Sequence, residues 1–437
     1  MVRRGAVLLA AAMLAGLPVS SSSAQERQRY IVVLERGVPA HAAAQEHSRS
    51  ENAEIGFVYE HALNGYSAAM SPQAAERIER DPRVEYVEPD IELHATAQTL
   101  PTGINRIDGE LSPTARINGV DERVDADIAI LDSGIDLDHP DLNVVASTGC
   151  AGGGPFSSKC TNGAGDDDNG HGSHVAGIAA ALDNDFGVVG VAPGARLHAV
   201  KVLDSRGSGY LSWIIAGIDW VTARSATIEV ANMSLGGQGW SSAYRTAVAN
   251  SVGKGVVYYV AAGNEMRDIY GPDGTFGTSD DTIPASFPEA GTISALADFD
   301  GRPGGLGSGS FSYGVGCTEN RDDSFACFSN YARFSTNNPV SSSGGKIDMM
   351  LPGTAIVSTY SQGRYASTHG TSQASPHAAG LAALYVARNG RATSASGVYS
   401  IRQALINLGY GQTSTNGLTT HDDPDVNKEP LGWSATL

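Results

Sequence analysis

The sequence predicts an α/β protein: a three-layer sandwich with a mainly parallel, doubly wound sheet, preceded by a small α+β unit. Three observations carry this. Through the middle of the chain, apolar strand-like runs alternate with helix-like segments, which argues for a parallel sheet covered on both faces. Two of the runs lead into polar residues, Asp132 after Ile128-Ala129-Ile130-Leu131 and Asn264 after Val256 to Ala262. The carboxyl end of a strand is where open sheets place their chemistry. Ahead of this region lies a separate β-α-β-β-α-β pattern.

Taken in order, the chain opens with Arg3 and Arg4 before an apolar run, Ala6 to Leu17, too short to span a membrane comfortably. Ser22-Ser23-Ala24 follows with small residues suited to cleavage. Residues 1–24 therefore read as a secretory signal, and the mature product as secreted, extracellular and soluble. Tyr30 to Leu34 reads as a strand, Pro39 to Ser50 as a helix, and Gly56 to Met70 as a hairpin turning near Asn64-Gly65. Ser71 is placed as an N-cap with Pro72 at the first helical position. Val84 to Val87 alternates as a strand and leads into an extended tail, Glu88 to Thr96. The order is ferredoxin-like, and a unit this small without disulfides calls for a partner surface.

In the larger region, Ile128 to Leu131 is a buried strand, and Val175 to Leu182 continues a helix begun near Gly170-His171. Leu197 to Val202 is a strand, Trp213 to Val221 a helix, and Val230 to Leu235 a strand ending in Gly236-Gly237. Val256 to Ala262 is a further strand. Residues 265–346 are rich in Gly, Asp and Ser with weak periodicity. They read as a loop-rich insertion that returns to the sheet at Ile347 to Leu351. From Ala374 small and apolar residues form a helix with Arg388 in its last turn and Gly390 as its stop. The polar tail, about 410–437, is expected to wrap the surface or hang loose.

The net charge of −18 disfavours nucleic acid and anionic membrane as partners. Four cysteines fall in two close pairs, Cys150 with Cys160 and Cys317 with Cys327, each closing a short polar loop. Two disulfides suit an exported protein. A zinc site is the rival reading, and no C-x-x-C spacing supports it.

Three stretches carry the chemistry. Asp132-Ser133-Gly134 ends a strand, His171-Gly172-Ser173-His174-Val175-Ala176-Gly177 opens a helix, and Gly370-Thr371-Ser372-Gln373-Ala374-Ser375-Pro376-His377 opens another. Pro376 is placed in the first turn of that helix, where its missing N–H has no partner to lose. Serine hydrolysis needs a nucleophile, an imidazole to take its proton and a carboxylate to orient the imidazole. A serine at a helix N-terminus sits among unpaired N–H groups, where charge developing on an attacked carbonyl is stabilised. Each residue alone could be a cap or turn residue. Together, in the order Asp, His, Ser, they point to a nucleophilic serine.

With these motifs in this order, the sequence resembles the subtilisin-like serine proteases (subtilases, peptidase S8) from its N-terminal unit to about Leu408. The resemblance implies a serine endopeptidase acting through an acyl-enzyme, with Asp132, His171 and Ser372 as its triad. Asn264 is then the oxyanion side chain, beside the Ser372 N–H. Ser234-Leu235-Gly236-Gly237 and Gly207-Ser208-Gly209 resemble edge segments that pair with an extended polypeptide substrate. Leu211 is expected to shape the pocket for the fourth substrate residue. Ala261, Ala262 and Gly263 would line the first pocket, with Glu265 at its rim. Large apolar residues are expected there, with tolerance for Lys near Glu265.

The resemblance also implies a structural Ca²⁺ held by Gln98, Asp141, Leu182, Asn184, Phe186 and Val188, partly through backbone carbonyls. Asp166-Asp167-Asp168 and Asp273 with Asp280-Asp281 read either as a second ion site or as solvated loops. Residues 25–96 resemble an inhibitory propeptide of the I9 type. Its tail would lie in the substrate groove and be cut at Thr96-Ala97, leaving 97–437 as a monomeric catalytic domain. His174 and His377 share helices with catalytic residues and read as structural. Two positions depart from the family pattern: Gln373 stands where methionine is common, and Ser173 replaces a usual threonine. The rival readings are a secreted calcium-binding structural or adhesive protein on an inactivated protease fold, and an esterase or transacylase using the same site.

Overall fold

The computed structural model describes residues 27–90, 98–151, 159–314, 316–319, 321–333, 338–412 and 423–437. The signal reading at 1–24, the tail beyond Asp90 and the Thr96-Ala97 junction lie outside them. The chain divides into two compact units, one up to His94 and one from Ala95.

The first unit runs β1 (Gln28–Leu34), α1 (Ala40–Glu51), β2 (Glu54–Tyr59), β3 (Gly65–Met70), α2 (Pro72–Glu79) and β4 (Val84–Pro89). Its antiparallel sheet has the order β2-β3-β1-β4. Ala40, Ala43, Ala44 and His47 are the buried positions of α1, the spacing of one helical face. Ser71 caps α2 as expected, its hydroxyl accepting from the Ala74 N–H at 3.2 Å.

The second unit begins α3 (Thr102–Arg106), β5 (Asp127–Asp132), β6 (Val144–Gly149), β7 (Thr161–Asn162), α4 (His171–Ala180), β8 (Arg196–Lys201) and α5 (Leu211–Thr222). It continues β9 (Val230–Met233), β10 (Gly237–Gln238), α6 (Ser242–Gly253), β11 (Val257–Ala261), β12 (Thr282–Ile283), β13 (Gly291–Ala297), β14 (Phe311–Tyr313), β15 (Cys317–Glu319) and β16 (Ser324–Phe325). It ends β17 (Ile347–Pro352), β18 (Ile356–Tyr360), β19 (Arg364–Thr368), α7 (Thr371–Asn389) and α8 (Ala395–Leu408).

The central sheet runs β6-β8-β5-β9-β11-β13, with β17 also beside β13, and these pairings are parallel. The chain steps from β5 to β8 in one direction and from β8 to β9 and β11 in the other. α4 carries the chain back from the outer strand β6 to β8, and α5 carries it on past β5 to β9; α4 packs with α7, and α5 packs with α6. β5, β9, β11 and β17 are buried along their whole length, which is why they read as apolar runs rather than alternating ones. Both disulfides form, Cys150–Cys160 and Cys317–Cys327. Among the described residues no helix is long and apolar enough to cross a membrane.

Three expectations need correction. Residues 265–346 are not one excursion, because β13 lies within them, wholly buried between β11 and β17. Its sequence, Gly-Thr-Ile-Ser-Ala-Leu-Ala, dilutes the apolar signal with small and hydroxylated residues. The structure satisfies these internally, as where Thr292 Oγ1 donates to the Ala285 carbonyl at 2.7 Å. The C-terminal tail is not loose in its described part. Leu431 bridges to Met350 and Tyr410, and Leu431 and Leu437 are buried. The Leu437 carbonyl accepts from Ser112 Oγ at 2.9 Å. Finally, α7 starts at Thr371, so Pro376 falls beyond its first turn. The carbonyl that Pro376 leaves without an N–H partner is that of Ser372. It accepts instead from Ser234 Oγ at 2.8 Å.

Candidate active site

Asp132 ends β5 with its side chain fully buried. Its Oδ1 accepts from the Ser133 N–H and from His171 Nδ1, both at 2.7 Å. His171 is the first residue of α4 and follows Gly170, whose φ of 106° belongs to the region that favours glycine. A Cβ at Gly170 would fall 2.1 Å from the Tyr360 ring, so the approach to His171 has no room for a side chain. Burial works against a charge on His171, but the Asp132 carboxylate and its hydrogen bond outweigh it and hold the imidazole above its ordinary pKa.

Asp167 supports this arrangement. Its carboxylate accepts from the N–H groups of Asn169, Gly170 and Ser173 and from the hydroxyls of Ser133 and Ser173. Burial would raise its pKa, yet the bonds from Gly170 and Ser173 keep it below the usual carboxylate range. The acidic run reads as an ion site or a solvated loop from sequence. Its middle member is instead a buried acceptor at the start of α4.

Ser372 lies in the first turn of α7, behind the capping Gly370. Its hydroxyl donates to the Ser234 carbonyl at 3.2 Å, while Ser234 Oγ donates back to the Ser372 carbonyl. Asn264 follows β11. Its Oδ1 accepts from the Thr371 N–H at 2.8 Å and from Thr371 Oγ1 at 3.0 Å. With the amide oxygen held, the amide nitrogen is the group left to face a substrate.

Ser372, His171 and Asn264 line one cleft of about 830 Å³. Gly207, Gly209, Leu211, Ser234, Leu235, Gly236, Ala261, Gly263 and Glu265 line it too, as expected. Ala262 does not. Its side chain is fully buried among Ile269, Tyr270 and Ala285, because residues alternate along an extended chain and Ala261 and Gly263 take the cleft side. The cleft also includes Gln238, Trp240, Tyr244 and Arg267, which the sequence reading missed. Nothing local distinguishes them, since their place depends on how the segments around β10 and after β11 fold back. Glu265 accepts from Asn330 Nδ2 at 2.7 Å, which sets its carboxylate at the cleft wall.

A second cluster lies away from the cleft. Asp141 is fully buried and, among the described residues, accepts from neutral donors: the Val188 N–H at 3.0 Å, Asn184 Nδ2 at 3.1 Å and the Tyr365 hydroxyl at 3.1 Å. Burial pushes its pKa up to about 7. Gln98 Nε2 donates to the Leu182 carbonyl at 2.7 Å and the Val188 carbonyl at 3.2 Å. Phe186 sits in the same turn, its N–H donating to Asn184 Oδ1.

Asp132, His171 and Ser372 thus lie together at the carboxyl edge of a mainly parallel sheet, in an α/β protein. The chain belongs to the subtilase family of serine peptidases, whose sequence profile it matches over residues 125–425. Residues 29–96 match the peptidase inhibitor I9 profile. The chain is 36% identical to Subtilisin E of Bacillus subtilis (strain 168), covering 89% of this chain and 90% of that protein. It is 39% identical to a subtilisin of Bacillus pumilus, covering 68% of this chain and 89% of that protein. Among solved structures it is similar to a cold-adapted subtilisin-like serine proteinase, with 28% identity and a TM-score of 0.53, covering 78% of this chain and 99% of the other. The S41 psychrophilic protease gives 29% identity and a TM-score of 0.57 with the same coverage.

Proposed function

We propose that this chain is a secreted serine endopeptidase, made as a precursor, that cleaves peptide bonds through an acyl-enzyme on Ser372. The observation that carries this reading is the closed Asp132–His171 pair beside the same cleft as Ser372. Because His171 Nδ1 is bonded to Asp132, Nε2 is the nitrogen left to act as base. On attack, the Ser372 hydroxyl exchanges the Ser234 carbonyl for the imidazole and its oxygen bonds to the substrate carbonyl carbon. The proton passes to His171, and Asp132 stabilises the imidazolium. The Ser372 N–H and the Asn264 amide accept the charge that forms on the carbonyl oxygen. His171 then protonates the leaving amine, and water repeats the sequence to release the acid.

Leu211, Ile214 and Leu235 give the cleft an apolar side. Leu211 belongs to the pocket for the fourth substrate residue; the first pocket, lined by Ala261 and Gly263 with Glu265 at its wall, takes large apolar residues and admits Lys. Strict preference for acidic residues or Pro in a peptide library would sink this part.

The Asp141 set fits Ca²⁺. Among the described residues this buried carboxylate has only neutral partners; it lies with the Leu182 and Val188 carbonyls and the amides of Gln98 and Asn184, whose nitrogens face these oxygens and which would turn to offer oxygen to the ion. Asp141, Gln98, Asn184 and the backbone of Leu182, Phe186 and Val188 would hold it, and its contribution there is structural. The match to an inhibitor profile over residues 29–96 supports a propeptide removed at Thr96-Ala97.

The test is fluorophosphonate labelling of the secreted protein with intact mass, beside Ser372→Ala. One label on a chain starting at Ala97, and an uncut precursor in the variant, support the reading. An unlabelled wild type that stays unlabelled after limited trypsin treatment overturns it.

A further inference from the structure

The segment between β13 and β17 carries a short antiparallel hairpin, β14 against β15, in which Phe311 pairs with Glu319 and Tyr313 with Cys317. Cys317 is bonded to Cys327, which ties the hairpin to the residue before Phe328. Phe328 itself lies against the site. Its carbonyl accepts from the Met266 N–H at 3.1 Å, and the Asn330 N–H donates to the Gly263 carbonyl at 2.9 Å. Residues 328–330 therefore run alongside 263–266, and Asn264 falls between the two bonds.

The rings of β14 reach both segments that frame the reacting carbonyl. Tyr313 packs on Phe328 with centroids 4.9 Å apart, and Phe311 packs on the same ring at 5.6 Å. Phe311 also stacks on His369, three residues before Ser372, at 4.9 Å with an interplanar angle of 12°. Phe311 and Phe328 are buried, but Tyr313 is half-buried and Met266 is 43% exposed. An open aromatic face and a thioether thus stand beside Asn264. Neither Tyr313 nor Met266 lines the cleft that holds Gly207, Gly209 and Ser234 to Gly237. The acyl part of a substrate fills that cleft, so the surface on the other side of Ser372 and Asn264 is left for the residues that depart with the amine.

We propose that the β14–β15 hairpin walls a leaving-side pocket, in which the Tyr313 ring and Met266 hold an aromatic or other large apolar side chain of the polypeptide just past the scissile bond. This rests on the peptidase reading of Ser372. The Tyr313 ring is backed by Phe328 and its strand is tied by a disulfide, so it offers apolar surface with little freedom left to lose on binding.

The acyl-enzyme made from a peptide methyl ester is released by water or by an added amine, which bonds to the acyl carbon as Ser372 Oγ leaves and regains its proton through His171. With phenylalaninamide and glycinamide in competition, the amine takes the leaving side. Wild type should favour phenylalaninamide, and Tyr313→Ala should lower that preference by roughly threefold to tenfold, the scale of one lost aromatic contact. Hydrolysis of the methyl ester, whose leaving methanol carries no side chain, should stay within about twofold. Tyr313→Phe should keep the preference, because the ring and not the hydroxyl makes the contact. Met266→Ala, at an exposed position outside the hairpin, should lower the preference in the same direction. An unchanged preference in either alanine variant, or ester hydrolysis that falls as far as the preference does, overturns the proposal. A wild type that hydrolyses no ester and takes no fluorophosphonate label overturns the peptidase reading and the pocket with it.

Discussion

At His171, burial and charge pull in opposite directions, and the charge wins. The consequence is a signed pH dependence. The imidazole must be neutral to accept the Ser372 proton, so kcat/KM should rise with pH along a limb above the ordinary histidine value of 6.5. Asp132→Asn removes the carboxylate that raises this pKa. The limb should then move to lower pH, and kcat should fall by roughly 10⁴, a figure the triad's reference case supplies. A limb that stays in place would show that Asp132 does not set it. Gln373 supports a second expectation at this scale. It is buried beside Ser372 and carries no thioether, so mild peroxide should leave activity largely intact. Gln373→Met should make the same treatment inactivating, measured as residual turnover against time.

At the scale of elements, the loop after α4 is tied to Asp141, a buried carboxylate with neutral partners among the described residues. Chelation by EDTA should therefore lower the melting temperature, with ligand at a hundred times its Kd contributing about 2.7 kcal/mol. Asp141→Asn should start from a lower melting temperature and respond little to EDTA. An equal response in both proteins would move the ion elsewhere. The start of α7 shows elements completing one another. Pro376 strips the Ser372 carbonyl of its helical partner, and Ser234, just past β9, supplies the missing donor. The exchange pins the Ser372 backbone to the segment that follows β9.

Across the whole molecule, the C-terminus closes the catalytic unit. Leu431 pairs with β17 and with Tyr410, and its side chain is buried to within 1%. Leu431→Ala should cost about 2–5 kcal/mol, as large-to-small changes in cores do, read as a fall in melting temperature with the ester titre unchanged below it. A surface tail would lose almost nothing.

What the sequence by itself determined is local. Apolar runs buried on both faces, caps such as Ser71, and three motifs of fixed spacing mark β5, α4 and α7 and the Asp132, His171 and Ser372 they carry, because periodicity and turn chemistry act over a few residues. What only the tertiary structure decided depends on chain returning from far away. β13 is a strand because β11 and β17 flank it, although its own residues are weak strand formers. Ala262 leaves the pocket and Arg267 joins it according to how the segment after β11 turns. Asp167 becomes a buried acceptor only once α4 folds over it. Such contacts form when enough surface is buried to offset the closure of long loops, and no short stretch of sequence records that balance.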